Sequence, residues 1–293
     1  MVYVAFAACC LIWGSTFLAI RLGNEAVPPV WAAAIRLVLA AVALSVIARV
    51  TGARFPRGAA LRGAALFGFF NFGVNFVLLY IGENSIPSGI AAILFATVPL
   101  STGLIAWRLH VEPLAPRKLV AAVAAVVGIV TIFAGELGLA VPLGGLLTVL
   151  VAATSAALSG VLLKQAPRQP AIPANAVAAA VGAVVCLATS VALGEDHALP
   201  ATAEGWAPIL YLTVAGSLGA FVLFAWLIKT WSVTNASFIG VVAPIVAVIL
   251  GAIVRQERPA LVALLGAVIV IGAVVFALWP SRGPAPALVP DAT

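Results

Sequence analysis

The sequence predicts an all-α polytopic membrane protein with ten transmembrane helices in two inverted five-helix repeats. Three observations support this fold class: 64% of the 293 residues are hydrophobic and 8% are charged, apolar stretches of spanning length follow one another along the chain, and a motif recurs at half the chain length. A soluble domain carries roughly 25% charged residues. This chain therefore cannot cover its surface with polar groups, and most of that surface must face lipid.

Ten apolar stretches are separated by charged residues and Pro/Gly clusters, and each has the roughly 20 residues that a spanning helix needs. They run over residues 2–22, 29–49, 61–82, 86–108, 117–135, 142–164, 173–193, 205–229, 234–254 and 260–279. The loops between them are short and leave no room for a soluble catalytic domain. The proline-containing tail, 280–293, is predicted to be a disordered cytoplasmic segment.

Basic residues accumulate in the loops on one side of the predicted membrane. The second, fourth, sixth and eighth loops and the tail hold eleven basic residues against two acids, whereas the odd-numbered loops hold three against seven. The eleven are Arg49, Arg54, Arg57, Arg62, Arg108, Arg117, Lys118, Lys164, Arg168, Lys229 and Arg282. By the positive-inside rule, both termini are predicted to be cytoplasmic. The net charge of +6 is spread over helix ends, so no nucleic-acid partner is predicted.

An internal repeat is visible at an offset of 145 residues. Its most specific part is the pair Pro99 and Glu112, which recurs as Pro244 and Glu257 at the same 13-residue spacing. Because each half holds five helices, an odd number, the second half must enter the membrane in the opposite sense. The two repeats are assigned to residues 1–137 and 138–279. Inverted repeats are typical of secondary transporters, whose substrate site lies near the membrane midplane between the halves.

Pro99 and Pro244 fall inside the fourth and ninth predicted helices. A proline inside a helix removes one backbone hydrogen bond and favours a kink. We interpret matched kinks in a transporter as gate hinges. A static kink that serves only packing is the alternative.

Several short motifs carry a family resemblance. They are Trp13-Gly14-Ser15-Thr16-Phe17 in the first helix, Arg36 in the second, Asn71-Phe72-Gly73-Val74-Asn75-Phe76 in the third, Ser88-Gly89-Ile90-Ala91-Ala92-Ile93-Leu94-Phe95-Ala96-Thr97-Val98-Pro99 in the fourth, and then Glu112 and Gly128-Ile129. With the half-chain repeat, they resemble the EamA-type transporters of the drug/metabolite transporter (DMT) superfamily over residues 1 to about 279. The resemblance implies a central cavity lined by helices 1, 3, 4, 6, 8 and 9, with the third–fourth and eighth–ninth hairpins rocking to give alternating access.

The resemblance also implies a function. Typical members export amino acids and related metabolites, and some handle drugs. We therefore expect an exporter in a bacterial-type inner membrane, with an amino acid or related metabolite as its small-molecule partner. An exporter of drugs or other small organic compounds, including cations, is the alternative on the same fold. Monomer and homodimer both remain open, since the fifth and tenth helices could pack within one chain or against a partner.

The first helix carries Trp13, Ser15, Thr16 and Phe17 near its middle. We take these residues as candidates for a substrate-facing indole, two hydroxyls and a ring. Ordinary packing is the alternative, with each hydroxyl bonded to its own backbone.

In the third helix, Asn71 and Asn75 lie four residues apart and share one face. An unpaired amide in hydrocarbon costs several kcal/mol, so both are expected to face the cavity or another helix. An amino acid offers donors and acceptors that such amides can meet, and interhelical hydrogen bonding is the alternative. Phe76 and Tyr80 extend the region as a candidate aromatic cavity wall, with packing as the alternative.

In the second half, Ser155 and Ser159 on the sixth helix and Phe221 on the eighth complete the candidate set. Arg36 is the one ionisable side chain well inside a predicted span. Burial at the membrane centre would cost roughly 2.5–3.5 kcal/mol, and Arg36 lies roughly 10 Å from the outer end of its helix. It can therefore snorkel or bind helix-end carbonyls, and we interpret Arg36 as structural, with a substrate-carboxylate clamp as the alternative.

All nine acids and both histidines lie at helix ends or in loops. A proton relay or cation antiporter usually keeps a carboxylate or imidazole at depth, so we predict facilitated diffusion down a gradient, or coupling that needs no buried acid. The chain also lacks a membrane-depth histidine for a serine protease, an H-E-x-x-H motif and a buried pair of Asp. The sequence therefore predicts no enzyme, no metal site and no cofactor.

Overall fold

The computed structural model describes residues 1–24, 26–86, 88–137, 141–255 and 261–279, and within these ranges it contains helices and no β-strand. The first half holds α1 (Val2–Asn24), α2 (Pro29–Val50), α3 (Gly58–Phe67), α4 (Asn75–Glu83), α5 (Ser88–Phe95), α6 (Val98–Arg108) and α7 (Pro116–Ile132). The second half holds α8 (Leu143–Gln165), α9 (Ala171–Ala192), α10 (Ala203–Tyr211), α11 (Phe221–Thr230), α12 (Val233–Ser237), α13 (Ile239–Arg255) and α14 (Leu261–Leu278). The predicted tail, 280–293, lies outside the described residues.

Seven helical segments in the described ranges are long and apolar enough to cross a membrane. They are Pro29–Val50, Gly58–Gly82, Ile90–Arg108, Leu143–Gln165, Ala171–Ala192, Ala203–Thr230 and Leu261–Leu278. Two shorter apolar helices, Val2–Thr16 and Val233–Val246, are also present. The all-helical fold class is therefore confirmed over the described residues, while the count of ten spans and the inversion of the second half stay predictions.

The exterior of the bundle is apolar. Val184 on α9 and Val268 on α14 are each 67% exposed, and other large apolar side chains are exposed along α2 and α7. Contiguous apolar patches of this kind are rare on soluble monomers and mark surfaces that contact something other than water. The exterior therefore fits a lipid environment, as the composition predicts.

Regular α-helix is interrupted at repeat-equivalent positions of the two halves. Wider π-helical turns, Gly68–Val74 and Leu212–Ala220, join α3 to α4 and α10 to α11. The first of these, moved by 145 residues, falls inside the second. The short helices α5 and α12 begin at Ser88 and Val233, which also lie 145 residues apart, and each is followed within three residues by another helix. The repeat in the sequence therefore has a counterpart in the helix geometry.

Glycines allow two pairs of helices to approach closely. A Cβ atom at Gly266 would lie 2.5 Å from the carbonyl oxygen of Gly128, so α14 and α7 pack backbone to backbone. A Cβ atom at Gly14 would lie 2.4 Å from Cβ of Val246, where α1 meets α13. Small residues at such contacts drive helix association in lipid, where apolar burial between helices gives little advantage. The predicted fifth and tenth helices thus pack on each other within this chain.

Charged side chains from distant segments cap helix ends. The Glu195 carboxylate accepts hydrogen bonds from the backbone N–H groups of Val30 (3.1 Å) and Trp31 (2.8 Å) at the start of α2. The Arg117 guanidinium donates to the last carbonyls of α14. Both contacts place charge where it opposes the partial charge of the helix end and satisfies backbone groups that lack a partner within the helix.

The contact between α7 and α14 gives a stability prediction. Gly266→Val should lower the midpoint of thermal unfolding in detergent, because overpacking a close contact typically costs about 1–3 kcal/mol. Gly272→Val is the matched control on the same helix, since a Cβ atom there meets nothing within 4 Å. Equal midpoints for the two variants would show that this glycine contact does not hold the helices together.

Candidate functional site

A cavity of about 140 Å³ lies among α1, α2, α4–α6, α8 and α11–α13. It has room for on the order of ten water-sized spheres, and thus for a small organic molecule. Its lining comprises Trp13, Thr16, Ile20, Arg36, Asn71, Asn75, Phe76, Leu79, Tyr80, Phe95, Val98, Thr102, Ala156, Ala157, Gly160, Phe221, Phe224, Val233, Ala236, Ser237, Ile239, Gly240 and Ala243. All six predicted helices that the family resemblance implies contribute to this lining, and α2 adds Arg36.

One wall of the cavity is aromatic. The Trp13 indole packs against Phe221 and Phe224, with ring centroids 4.9 and 5.0 Å away. Phe76 lies 6.0 Å from Phe221, and these two residues stand at equivalent positions of the 145-residue repeat. Tyr80 is buried beside Phe76, at a centroid distance of 6.1 Å. The predicted aromatic residues therefore meet across the two halves of the chain.

Among the residues that the structure describes, four buried polar atoms of the lining have no hydrogen-bond partner. They are Trp13 Nε1, Asn71 Nδ2, Asn75 Oδ1 and Thr102 Oγ1. The other end of the Asn75 amide donates to the Asn71 carbonyl at 3.1 Å. A buried donor or acceptor that makes no hydrogen bond costs about 1–3 kcal/mol for each group. A solute that carries both donors and acceptors would satisfy these atoms.

Arg36 belongs to the cavity and not to a helix end. Its side chain is 3% exposed, its Nε donates to Ser217 Oγ at 3.0 Å, and its guanidinium carbon lies 5.0 Å from the Phe76 ring centroid. Tyr80 is a further interaction partner. Arg36 therefore does not snorkel or bind helix-end carbonyls as expected, because Ser217, Phe76 and Tyr80 hold it against the cavity. The structural role and the carboxylate clamp both stay predictions.

Three of the predicted serines do not line the cavity. The Ser15 hydroxyl contacts the Tyr211 hydroxyl, and Ser155 donates to the Phe70 carbonyl at 2.8 Å. Ser159 donates to a carbonyl of its own helix at 2.7 Å. The three hydroxyls are thus satisfied by protein contacts. Ser15 also donates to the Ile12 carbonyl of its own helix at 2.6 Å, which is the packing alternative stated for it.

The remaining predicted residues differ in their placement. Thr16 lines the cavity, and its hydroxyl also donates to the Trp13 carbonyl at 2.8 Å. The side chain of Phe17 lies outside the described residues. Pro244 is inside α13 as predicted, whereas Pro99 lies in the first turn of α6, where it removes no hydrogen bond from within the helix. The hinge role of either proline stays a prediction.

Thr102 and Phe224 line the cavity but are not among the residues that the sequence predicted for it. Each lies three residues after a residue that was singled out, Pro99 or Phe221, and therefore near it on the helix surface. That spacing is the signal that could have found them. A single threonine or phenylalanine in an apolar helix is otherwise indistinguishable from packing.

A charged network lies directly beside the cavity lining at the start of α12. The Glu112 carboxylate accepts hydrogen bonds from the Ser232 hydroxyl (2.6 Å), the Val233 N–H (2.6 Å) and the Thr234 hydroxyl (2.9 Å). The Lys118 ammonium donates to the Ser232 hydroxyl at 2.9 Å. Because Val233 also lines the cavity, this network ties the turn between α6 and α7 to the cavity wall.

Over the described residues the chain is a helical bundle with an apolar exterior and an internal cavity lined by amide, indole and guanidinium groups, which is typical of membrane transporters. The sequence profile of the EamA-like transporter family matches residues 1–134 and 143–279. The chain therefore belongs to the EamA-like transporter family, in agreement with the motifs of the sequence.

Relatives of known sequence and structure extend this assignment. The chain is 29% identical over 297 residues to the "uncharacterized inner membrane transporter YedA" of Escherichia coli strain K12, covering 99% of this chain and 96% of the relative. Over 94 residues, about a third of each chain, it is 37% identical to a "probable terminal-alkyne amino-acid exporter" of Streptantibioticus cattleyicolor. A crystal structure superposes with a TM-score of 0.80 at 19% identity over 94% of this chain and 96% of the other, which shows a shared fold. These named relatives are transporters, which is consistent with the expectation of no enzyme.

Removal of the Thr102 hydroxyl and removal of the Ser217 hydroxyl are expected to have different effects on thermal stability. Thr102→Val should leave the thermal midpoint of the unliganded protein unchanged or raise it, because it removes a buried hydroxyl that has no partner. Ser217→Ala should lower the midpoint, since it removes a hydrogen bond to a charged group, worth about 1.5–3 kcal/mol. Unfolding in detergent without added solute measures both. A midpoint for Thr102→Val as low as that for Ser217→Ala would mean that Thr102 has a structural partner.

Proposed function

We propose that this transporter exports amino acids or related small metabolites across the inner membrane by alternating access, with both termini in the cytoplasm. The observation that carries the proposal is the set of four unpartnered polar atoms in a cavity walled by aromatic rings. Two of the atoms donate, one accepts and the Thr102 hydroxyl can do either. An amino acid supplies complementary groups, and its side chain would contact the rings.

The relatives support the substrate class and the membrane. One relative is named an amino-acid exporter, although its match spans about a third of this chain. Another is named an inner membrane transporter and matches nearly the whole chain. Export and the orientation of the termini rest on the resemblance and on the distribution of basic residues.

Alternating access is supported by the matched interruptions of the helices. In the proposed arrangement of ten spans, residues 1–137 and 138–279 form inverted repeats, and the segments α5–α6 and α12–α13 move against the remaining helices. Glu112 would hold α12 in the state described here and release it when the cavity opens to the cytoplasm. Pro99 and Pro244 would serve as hinges of these segments.

Energy coupling is proposed to be passive. The cavity lining contains no aspartate, glutamate or histidine among the described residues. A buried carboxylate or imidazole is the usual carrier of a coupled proton. The transporter is therefore proposed to act as a facilitator down the gradient of its solute.

The second candidate function is export of drugs or other small organic cations. The cluster of Trp13, Phe221 and Phe224 favours it, because aromatic faces bind cations. The positive charge of Arg36 in the same cavity opposes it. Resistance of cells to a panel of toxic cations on overexpression, with no amino-acid transport, would favour this second function.

Exchange in proteoliposomes tests the proposed function. Proteoliposomes loaded with an unlabelled amino acid should take up the same labelled amino acid. Asn75→Leu should reduce the rate at least about 5-fold, since a lost polar contact is worth about 1–3 kcal/mol. Asn175→Leu is the matched control. Its buried amide also donates to the carbonyl four residues earlier and leaves its oxygen unpartnered, but it lies outside the cavity lining.

The control should exchange at the wild-type rate. Failure of folded wild-type protein to exchange any member of an amino-acid panel would discard the substrate class. An equal loss of exchange rate in Asn75→Leu and Asn175→Leu would show that the loss does not depend on the place of the amide in the cavity.

Removal of the Glu112 carboxylate tests the gate. Glu112→Ala should raise the rate at which a thiol reagent labels an Ala236→Cys reporter, because a helix cap worth about 1 kcal/mol shifts the two-state population about fivefold. The three native cysteines are buried and would first be replaced by alanine. Glu195→Ala, which removes a carboxylate cap from α2 instead, should leave the labelling rate unchanged. Identical rates with and without Glu112 would contradict a gating role.

A further inference from the structure

We infer that Arg36 binds the carboxylate of the transported solute, so that the site takes small carboxylates and does not require an amine. The inference rests on the proposed function, because it treats the cavity as the substrate site. It goes further by naming the chemical group that the site selects and the residue that selects it.

The position of Arg36 presents a guanidinium to the cavity at depth. The side chain is 3% exposed and lines the cavity from α2. Its Nε is fixed by Ser217, and its carbon lies over the Phe76 ring. Gly216 leaves the space that the group needs, since a Cβ atom there would lie 2.7 Å from an Arg36 terminal nitrogen. The π-helical segment that contains Gly216 and Ser217 therefore packs against the guanidinium and holds it in place.

The partners of Arg36 leave its charge without a counter-ion. Ser217, Phe76 and Tyr80 are neutral groups. Of the acidic side chains that the structure describes, none pairs with Arg36, and Glu112 and Glu195 are bound at helix starts. A charge taken out of water is stable only with a partner of opposite charge or an equivalent set of hydrogen bonds. An anionic solute supplies that partner.

The unpartnered polar atoms of the cavity that Arg36 lines favour an anion over a cation. Trp13 Nε1 and Asn71 Nδ2 are unpartnered donors in the same cavity, and a carboxylate accepts up to about four hydrogen bonds. Guanidinium groups bind carboxylates with two parallel hydrogen bonds, which gives geometric selectivity. The described lining offers no carboxylate to an ammonium group. Binding is therefore determined by the carboxylate, and an amine contributes only through neutral contacts such as Asn75 Oδ1.

Three probes with one carbon skeleton test the inference: leucine, 4-methylpentanoate, which lacks the amine, and leucinamide, which lacks the carboxylate. Their affinities are measured on the purified full-length protein from the ligand-dependent rise of the thermal midpoint. Wild-type protein should bind leucine and 4-methylpentanoate, and leucinamide at least about 10-fold more weakly. Arg36→Gln should weaken binding of the first two about 10- to 100-fold, the range for a hydrogen bond to a charged group. Arg36→Lys and Ser217→Ala, which keep the charge, should keep the preference for a carboxylate.

The comparison of probes on wild-type protein does not depend on how well any variant folds. Leucinamide binding as tightly as leucine, or no binding of either carboxylate, would overturn the inference. Binding of 4-methylpentanoate that depends on Arg36, in a protein that exchanges no amino acid, would refute the proposed substrate class and support the inference. Leucine exchange by Arg36→Gln with the half-saturating leucine concentration of the wild type would support the proposed function and refute the inference.

Discussion

The constraint on which the structure depends is that a polar group inside an apolar bundle in lipid has no water to bind. Backbone groups meet this constraint by forming helices, and helix ends meet it with carboxylates and basic side chains from distant parts of the chain. Glu112 on α12, Glu195 on α2 and Arg117 on α14 are examples. Nine buried side-chain atoms lack a hydrogen-bond partner among the described residues, and four of them share the lining of the one cavity described above, whereas others, such as Asn175 Oδ1, lie outside it.

A second constraint is that helices in lipid gain little from apolar contacts with one another. Close packing through glycine replaces that driving force at Gly128 and Gly266 and at Gly14. The helices around the cavity depart from this regular packing, with two π-helical segments and two interrupted helices at repeat-equivalent positions. Such irregular backbone is tolerated in a membrane where it is buried in protein or lines a cavity, and π-helical turns occur often at functional sites. The same elements thus position Asn71 and Ser217 and supply the proposed moving parts.

The sequence predicts the helical stretches well because a span is a property of composition. The predicted stretch 29–49 is observed as Pro29–Val50, and 142–164 as Leu143–Gln165. The direction of a single side chain is less predictable. Ser155 and Ser159 share a face at i, i+4 as Asn71 and Asn75 do, yet the serines are satisfied by carbonyls.

For Arg36, the sequence gives only the distance to the end of its own helix and the reach of its side chain. These two lengths predict contact with the helix end. The actual partner of Arg36, Ser217, lies 181 residues away in the chain. A wider helical turn also shifts the phase of everything that follows it, so the faces of α4 and α11 depend on π-helical segments that the apolar pattern does not reveal. Contacts between the halves therefore required the three-dimensional structure.

Protection of a cysteine inside the cavity tests the central claim, that this cavity is where the transported solute binds. Thr102→Cys would be introduced after the native cysteines are replaced, and its reaction with a small thiol reagent would be followed with and without each solute that the proteoliposomes exchange. Exchanged solutes are expected to slow the reaction in the order of their affinities, and solutes that are not exchanged are expected to leave it unchanged. A solute that is exchanged at saturation without slowing the reaction would contradict the account.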